Sequence, residues 1–440
     1  MIHNEPKIKV ALLQSAPEAR LKLTGSFSLP GGHAVSGGLS ARAANGQVVL
    51  LDSKGLEIIR HNEILLTPDA SAETFFTVLN VKIGIDFHWQ RVQEQSFRGA
   101  LLLTANPADT FHLINVIPLE KYLASVISSE MAASAPLEFL KAQAVTARSW
   151  LLAMLAKKKS PRALPEKKEG EILVWQDVND HQAFDVCADD HCQRYQGITR
   201  IISDQVARAI DATRGTFLVS AGEICDARYY KCCGGRTDVF SSAWENASPS
   251  YLQSIADSDH VHPPVSLETD AADWLFSKPP AYCNTTDKTL LARILPAFDQ
   301  ETSDFYRWQV TYTRQELENI LKKKSGIDFG ELQHIIPLER GPSGRIYKLK
   351  ITGSQKTIIV GKELEIRRWL SESHLFSSAF VVVAEHAADG GIQHFIFHGG
   401  GWGHGVGLCQ IGAAVMAAKG FKAEEILAHY FTGAGIEKLY

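Results

Sequence analysis

The stretch PLEKYLASVISSEMAASAPLEFLKAQAVTARSW, residues 118–150, predicts the helices around which the chain is built. Its first half has apolar residues at intervals of three and four positions: Leu119, Tyr122, Leu123, Val126 and Ile127. This period gives one apolar face and predicts a helix that ends at Glu130. Ser134 then suits the N-cap of a second helix, Pro136 its first turn, and Glu138 its positive dipole end. The sequence therefore predicts two consecutive helices with a tight bend immediately after Glu130.

The chain around these helices predicts an α+β protein. Short β-like runs between Gly- and Pro-bearing turns predict a β-rich N-terminal domain over residues 1–95. Residues 96–259 are expected to form a mixed core that holds the two helices, a metal-binding loop and a β-rich stretch from about 197. An inserted α/β module is expected over residues 260–394, with a helix from Arg314. Residues 395–440 are predicted to be a Gly-rich tail and short helix that complete the core.

Composition and charge exclude several classes of protein. With 45% hydrophobic and 21% charged residues, the chain has the balance of a globular protein rather than a disordered or fibrous one. Forty-five basic and 49 acidic side chains give a net charge of -4, and no long basic stripe occurs, so nucleic acid is not an expected partner. No window approaches the roughly 20 apolar residues of a transmembrane segment. The first residues also lack the pattern of a signal peptide.

The strongest chemical signal is a group of four metal-ligand residues within one short stretch, His181, Cys187, His191 and Cys192. Zinc prefers imidazole and thiolate ligands, and little chain entropy is lost when ligands lie so close in sequence. Four protein ligands close the coordination shell, so we expect one structural zinc ion per chain rather than a hydrolytic one. The alternative is two surface histidines beside a reducible disulfide, which an exported location would favour.

A second signal is the glutamate at the bend. Glu130 ends an apolar helix and is expected to face a second helix that bears Gln143 and Arg148, which we assign to substrate binding. A glutamate between apolar helix surfaces can have its pKa raised towards neutrality, as a general acid requires. The alternative is a solvated glutamate at a helix end without a catalytic role, and the local sequence by itself favours that interpretation.

The third signal is the run GGGWGHGVG at residues 399–407. It is similar to a dinucleotide-binding fingerprint, but no register places all three glycines and no second βαβ half follows, so we expect no nucleotide site. Glycines let the backbone approach a ligand or another segment closely, which would present His404, followed by Gln410, to a substrate. The alternative is that His404 only packs and hydrogen-bonds in the core.

A fourth segment, RYYKCCGGRT at residues 228–237, places Tyr229 and Tyr230 before two adjacent cysteines. Aromatic faces beside polar donors often line sugar-binding grooves, and they are equally common in sheet cores. The state of the adjacent cysteines stays open, because three readings fit: buried thiols, a disulfide with Cys225 or Cys283, or further metal ligands.

Taken together, these segments resemble the stage II sporulation protein D (SpoIID/LytB) family over most of the chain from about Ser96. The matching pieces, in chain order, are SFRG at 96–99, the helical stretch at 118–150, CQRYQG at 192–197, YYKCCGGRT at 229–237, RGPSGR at 340–345 and FHGGGWGHGVGLCQIGAAVMAAKGF at 397–421. Their number and order make the resemblance specific.

The resemblance implies a lytic transglycosylase that cleaves the MurNAc-GlcNAc β-1,4 bond of bacterial peptidoglycan and leaves a 1,6-anhydromuramoyl end. The catalytic glutamate of the family's YLxxVxxxEM motif corresponds to Glu130, and one carboxyl group is enough for this reaction. Zinc-binding members carry a His/Cys loop like that of residues 181–192. Asp257 is our candidate for a supporting role at the substrate.

Two departures from the family pattern affect these expectations. Ala132 stands where many members have proline after Glu-Met, which alters only the bend. Lys231, Cys232 and Cys233 stand where a His-Ser pair often precedes the Gly-Gly turn, which could change how the sugar is bound.

The implied partners are peptidoglycan glycan strands, intact or stripped of peptides, and a cell-wall amidase that works alongside; the implied location is the cell envelope. The rival reading is a non-catalytic glycan-binding protein that recruits or stimulates another wall hydrolase. A further rival, a zinc-dependent amidase, would need an open zinc position and would release peptides.

Overall fold

The structure, a computed structural model, describes residues 4–70, 73–84, 90–157, 168–175, 181–200, 203–296, 299–300 and 304–440. The described residues form these α-helices: α1 (Leu119–Glu130), α2 (Leu137–Lys157), α3 (Asp204–Ala212), α4 (Glu268–Phe276), α5 (Lys288–Ile294), α6 (Arg314–Ser325), α7 (Glu363–Trp369), α8 (Gln410–Ala418) and α9 (Ala423–Tyr430). They also form these strands: β1 (Lys7–Ala16), β2 (Glu18–Ser28), β3 (Ala34–Ala44), β4 (Gln47–Asp52), β5 (Glu57–His61), β6 (Glu63–Pro68), β7 (Phe75–Ile83), β8 (Arg91–Phe97), β9 (Ala100–Asn106), β10 (Thr110–Pro118), β11 (Glu171–Leu173), β12 (Val186–Cys187), β13 (Thr216–Ser220), β14 (Glu223–Ile224), β15 (Tyr229–Tyr230), β16 (Arg307–Thr313), β17 (Leu332–Arg340), β18 (Ile346–Gly353), β19 (Thr357–Gly361), β20 (Phe380–His386), β21 (Ile392–Gly400), β22 (Leu408–Cys409) and β23 (Gly435–Lys438). The predicted mixed α+β class is confirmed.

The chain divides into two compact units. Unit 1 consists of Met1–Ser134, Val178–Thr216 and Lys438–Tyr440, and unit 2 of Ala135–Asp177 and Phe217–Glu437. The boundaries at 95, 259 and 394 come from sequence composition and stay a prediction. No helix among the described residues is both long and apolar enough to cross a membrane.

Unit 1 is built on a sheet of eleven strands, in the order β12-β1-β10-β9-β6-β2-β3-β4-β5, with β7 paired to β2 and to β8. Its strands alternate buried and exposed positions, as in β2, because one face of each strand packs into the core. The short strand β12 lies at the edge, parallel to β1, with Val10 opposite Val186 and Ala11 opposite Cys187. Strands β1 to β8, which lie within residues 7–97, all belong to this sheet. A separate domain over residues 1–95 stays a prediction.

The two helices predicted over residues 118–150 are confirmed. Helix α1 ends at Glu130 as predicted, and α2 begins one residue after Pro136. Most of α2 is buried, including its middle from Phe139 to Met154. In unit 2 this helix packs against α8 and α9. The small residues of α8 allow this close packing, which explains the Ala-rich sequence after the Gly-rich run.

Two of the sheets in unit 2 share a large apolar core. One has the strand order β11-β19-β18-β17 and the other β16-β21-β20. Their shared core contains large apolar side chains such as Trp308, Leu349, Trp369 and Phe397. Helix α6 begins at Arg314, as predicted, because Thr313 and Glu316 form a capping box.

The prediction that residues from about 197 to 257 are β-rich is wrong in part. Helix α3 lies in this stretch, and the Ser203 side chain caps it by accepting the N–H of Val206. Val206, Ala209 and Ile210 form its buried face, a helical period that the sequence prediction overlooked. Parts of the predicted loop at 160–197 lie outside the described residues.

Candidate functional site

Glu130 lies at the last position of α1, where the chain turns sharply. The helix ends because Met131 adopts extended backbone (φ -133°, ψ 162°), and its N–H still donates to the carbonyl of Ile127. Met131 is fully buried and so fixes the bend. The half-buried Glu130 side chain accepts, at Oε1, the backbone N–H of Arg194 at 2.9 Å. The carboxylate is therefore oriented by the backbone of another segment while it keeps some exposure to solvent.

The segment that orients Glu130 also holds the rest of α1. The hydroxyl of Tyr122 donates to Oε1 of Gln193 at 3.1 Å, and the Tyr122 ring stacks on Tyr195 with a centroid distance of 5.1 Å. Ser125 donates to the carbonyl of Gly197 at 3.0 Å. Three successive turns of α1 are thus attached to residues 193–197, all within unit 1.

Gly197 is required where this segment passes the sheet. Its φ of 59° lies in the left-handed region, and a Cβ there would lie 2.2 Å from the carbonyl oxygen of Ser96 and 2.4 Å from the Phe97 ring. A side chain would therefore push residues 193–197 away from the sheet and away from α1.

The four predicted metal ligands come together in unit 1. One ligand atom from each of His181, Cys187, His191 and Cys192 lies within 4.8 Å of the others. Sγ of Cys192 is 3.4 Å from Nε2 of His181 and 3.5 Å from Nδ1 of His191, and Sγ of Cys187 is 3.9 Å from Nδ1 of His191. Metal–ligand bonds of about 2.0 to 2.3 Å imply tetrahedral ligand separations of about 3.3 to 3.8 Å. The donor set and its spacing therefore fit a zinc ion.

The loop that carries these ligands is attached to the edge of the large sheet. Asp185 accepts the backbone N–H of Lys9 at 2.8 Å, and the N–H of Ala188 donates to the carbonyl of Ala11 at 3.0 Å. Phe184 packs beneath the ligands, 4.6 Å from the His181 ring. Hydrogen bonding from Cys192 is the main cause that lowers the pKa of Cys187, to about 2, although burial raises it.

The metal cluster and Glu130 are joined through consecutive residues. Cys192 is a predicted ligand, Gln193 contacts α1, and Arg194 donates its N–H to Glu130. The Arg194 guanidinium donates to Oδ1 of Asp190, from Nε at 2.9 Å and from Nη2 at 2.6 Å. The loop between the predicted ligands and the carboxylate is therefore short and held at both ends.

The seven other predicted site residues lie in unit 2. Gln143 and Arg148 are fully buried on α2. Arg148 lies 6.0 Å from the centre of the Phe217 ring, and neither amide atom of Gln143 has a hydrogen-bond partner among the described residues. Gln410 begins α8 and is also buried. Their role in binding substrate stays a prediction.

His404 lies against the ring of Tyr230 and the backbone of Tyr229 in unit 2. Tyr230 pairs with Cys409 between β15 and β22, and its ring is 5.1 Å from that of His404. Nε2 of His404 lies 3.0 Å from the carbonyl of Tyr229, and Nδ1 accepts the N–H of Val406 at 3.1 Å. Burial, together with nearby arginines, lowers the pKa of His404 well below its usual value. Both ring nitrogens of this neutral histidine thus have backbone partners.

Asp257 is completely buried in unit 2. Its Oδ1 accepts the hydroxyl of Tyr430 at 2.5 Å, and its Oδ2 accepts the N–H of Cys283 at 2.9 Å. Asp257 is therefore surrounded by side chains of its own unit rather than presented on a surface.

The sequence prediction missed Arg194 and Tyr195 as positioning residues. Both belong to the CQRYQG segment, which was noticed only as part of a family pattern. Arg194 contacts Glu130 through its backbone N–H. Every non-proline residue carries this group, so the residue type does not predict the contact.

Two family models match the chain. Residues 108–219 match the model described as stage II sporulation protein, and residues 238–407 match the model described as a domain of unknown function (DUF8618). The first match contains α1, Glu130 and all four predicted metal ligands.

Three bacterial relatives match much of the chain. An uncharacterized protein of Brachyspira hyodysenteriae is 28% identical over 328 residues, which is 74% of this chain and 69% of that protein. The stage II sporulation protein D of Bacillus amyloliquefaciens is 25% identical over 337 residues, 74% of this chain and 76% of the relative. The amidase enhancer of Bacillus subtilis is 26% identical over 328 residues, 71% of this chain and 39% of the relative. The chain therefore carries a stage II sporulation protein domain over residues 108–219 and is similar to stage II sporulation protein D of Bacillus species over about three quarters of its length.

Proposed function

We propose that this protein is a lytic transglycosylase of the bacterial cell wall, with Glu130 as its single general acid and base. The observation that carries the proposal is the position of Glu130, at the end of α1 with Oε1 bound to the Arg194 N–H. This glutamate lies inside the segment that matches the stage II sporulation protein model. The resemblance of its motif to YLxxVxxxEM supports Glu130 as the counterpart of the family's catalytic glutamate. The substrate would be the glycan strand of peptidoglycan, and the location the cell envelope.

One carboxyl group is enough for the proposed reaction. Protonated Glu130 donates its proton to the glycosidic oxygen, the bond from C1 of MurNAc to that oxygen breaks, and GlcNAc leaves with a free hydroxyl. The Glu130 carboxylate then takes the proton of the C6 hydroxyl of the same MurNAc as that oxygen bonds to C1. The product is a 1,6-anhydro ring, Glu130 is protonated again, and water is not consumed.

The backbone bond to Glu130 supports this assignment of roles. A hydrogen bond from a rigid N–H fixes which way the carboxyl group points, and general acid catalysis depends on that geometry. Because residues 193–197 also contact Tyr122 and Ser125, the carboxyl group and its helix are positioned by one segment. Arg194 is thus a positioning residue, which acts through Glu130.

We propose that His181, Cys187, His191 and Cys192 hold one structural zinc ion. Zinc would supply a rigid link between the loop and the sheet edge, since all four positions of a tetrahedral shell are taken by protein. The same closed shell argues against a zinc-dependent amidase, which needs an open position for water.

The first test is mass spectrometry of the soluble products released from intact and from peptide-stripped peptidoglycan. The wild type is expected to release anhydromuramoyl products, and Glu130→Gln none, although its amide oxygen can still accept the Arg194 N–H and preserve the fold. Glu18→Gln, an exposed glutamate of unit 1, is the matched control and should match the wild type. Unchanged product release by Glu130→Gln would refute the assigned acid.

A second candidate function is favoured by one relative, whose name is amidase enhancer. In that case the protein would bind glycan without cleaving it and would raise the rate of a cell-wall amidase. Binding to peptidoglycan with no released sugar, together with a faster amidase, would select this function. The Glu130→Gln variant would then stimulate the amidase as well as the wild type does.

A further inference from the structure

Unit 2 contains a second group of metal-ligand side chains, remote in sequence from the His/Cys loop. Sγ of Cys233, Cys283 and Cys409 and a carboxylate oxygen of Asp257 all lie within 4.8 Å of one another. All four residues are buried, with Asp257 and Cys409 having no exposed surface. We refer to these four residues as the cysteine cluster.

The separations within the cysteine cluster suit a single ion. Sγ of Cys233 is 3.3 Å from Sγ of Cys283 and 3.3 Å from Oδ2 of Asp257. A tetrahedral zinc with Zn–S of about 2.3 Å and Zn–O of about 2.0 to 2.2 Å needs ligand separations of about 3.5 to 3.8 Å. A shift of a few tenths of an ångström would therefore bring the four ligands to a zinc ion.

The surrounding backbone already supports charged ligands. Gly235 donates its N–H to Sγ of Cys233 at 3.3 Å, and Cys233 donates its own N–H to Sγ of Cys409 at 3.2 Å. Hydrogen bonds of this kind stabilise thiolates and orient them, as partners outside the coordination shell do in metal sites. Gly235 has a φ of 110°, which a residue with a side chain rarely adopts.

Asp257 is held so that one oxygen faces the sulfur atoms. Tyr430 binds Oδ1, which leaves Oδ2 on the side of Cys233 and Cys283. Helix α8 closes the other side, because a Cβ at Gly412 would lie 2.5 Å from Oδ1 and 2.4 Å from the Tyr430 hydroxyl. The carboxylate is thus fixed in place before any ion binds.

We propose that Cys233, Asp257, Cys283 and Cys409 bind a second, structural zinc ion. A doubly charged cation would neutralise the buried carboxylate and thiolates of this cluster. The ion would connect the end of β15, the loop at 257, the loop at 283 and strand β22. This proposal does not rest on the proposed catalysis or on the His/Cys loop.

Other uses of these thiols fit less well. A disulfide between Cys233 and Cys283 would use two of the sulfur atoms. It would not explain why Cys409 and Asp257 lie at the same point. An iron–sulfur cluster needs room for its own iron and sulfide atoms between the thiolates, which separations of 3.3 Å do not provide. Copper(I) prefers soft ligands only, whereas one of the four ligands here is a carboxylate.

The test is the zinc content of the full chain, purified without chelator and compared among matched variants. Cys283→Ser/Cys409→Ser protein is expected to hold one zinc ion per chain fewer than the wild type. Cys187→Ser/Cys192→Ser protein should also lose one, from the other site. Cys225→Ser, a buried thiol of unit 2 outside both groups, is the control and should lose none. Zinc content unchanged in Cys283→Ser/Cys409→Ser would overturn the proposal.

A second measurement does not require a variant of the cluster to fold. Cobalt(II) is added to Cys187→Ser/Cys192→Ser protein, in which the cysteine cluster is intact. We expect the visible bands of tetrahedral cobalt and a near-ultraviolet thiolate charge-transfer band. When Asp257→Asn is combined with Cys187→Ser/Cys192→Ser, the cobalt spectrum should shift. Absence of thiolate bands, or a Cys233–Cys283 disulfide in a non-reducing peptide map, would overturn the proposal.

Discussion

The two groups of metal-ligand side chains differ in how the chain assembles them. The His/Cys loop of unit 1 takes its four ligands from residues 181–192, whereas the cysteine cluster of unit 2 takes its ligands from positions between 233 and 409. In the first group the ion would fix one loop, and through Arg194 the orientation of Glu130. In the second it would connect segments that are distant in sequence. We therefore expect loss of the first ion to affect catalysis and loss of the second to affect the stability of unit 2.

The largest expected effect comes from removing the cysteine cluster. Cys283→Ser/Cys409→Ser should lower the free energy of unfolding of unit 2 by about 4 kcal/mol or more, because binding energy at a structural metal site is folding energy. Chemical denaturation of the variant and of the Cys225→Ser control measures this difference. Equal stability of the two proteins would show that the cysteine cluster does not stabilise unit 2 in the way that distinguishes it from the His/Cys loop.

Gly197→Ala sharpens the claim that residues 193–197 must pass close to the sheet. The new Cβ would overlap the Ser96 carbonyl, and the backbone has a positive φ, so unit 1 should lose about 3 kcal/mol of stability. Gly46→Ala is the control, because Gly46 has a φ of 70° and nothing lies within 4 Å of a Cβ there. This substitution should lower the stability of unit 1 by about 1 kcal/mol. A similar loss in both variants would show that close packing at Gly197 has no special importance.

The sequence predicted the parts of the molecule whose signals are local. Helix α1, its end at Glu130, and the proximity of His181, Cys187, His191 and Cys192 follow from short-range spacing. Helix α3 was missed because it has only nine residues and buries only Val206, Ala209 and Ile210, so its apolar period is short. The cysteine cluster had no local signal: Cys233 was noticed, but its proximity to Cys409 depends on the pairing of β15 with β22.

Disruption of the His/Cys loop should reduce activity more than stability. Cys187→Ser/Cys192→Ser is expected to lower the rate of glycan cleavage by about 10 to 100-fold, because Arg194 loses its fixed position next to Glu130. The rate is measured with peptide-stripped glycan, and the fold is checked by circular dichroism. An undiminished rate of glycan cleavage in protein without zinc would show that catalysis does not need the metal-bound loop.

The smallest expected effect is a change in pH dependence at His404. The folded protein keeps this histidine neutral, because burial, Arg228 and Arg345 lower its pKa, whereas the unfolded chain takes up a proton below about pH 6.5. The stability of the wild type should therefore fall as the pH is lowered from 7 to 5. The stability of His404→Gln should fall less steeply over the same range. Exposed His33→Gln is the control. An unchanged slope in His404→Gln would show that His404 becomes protonated without cost.

Digestion of peptidoglycan in H₂¹⁸O, followed by mass spectrometry of the products, tests whether Glu130 alone cleaves the glycan without water. Attack by the C6 hydroxyl gives anhydromuramoyl ends that contain no ¹⁸O and are lighter by one water than hydrolysis products, and Glu130→Gln should form none. Muramoyl ends that carry ¹⁸O at C1 would show that water is the nucleophile and would refute this mechanism.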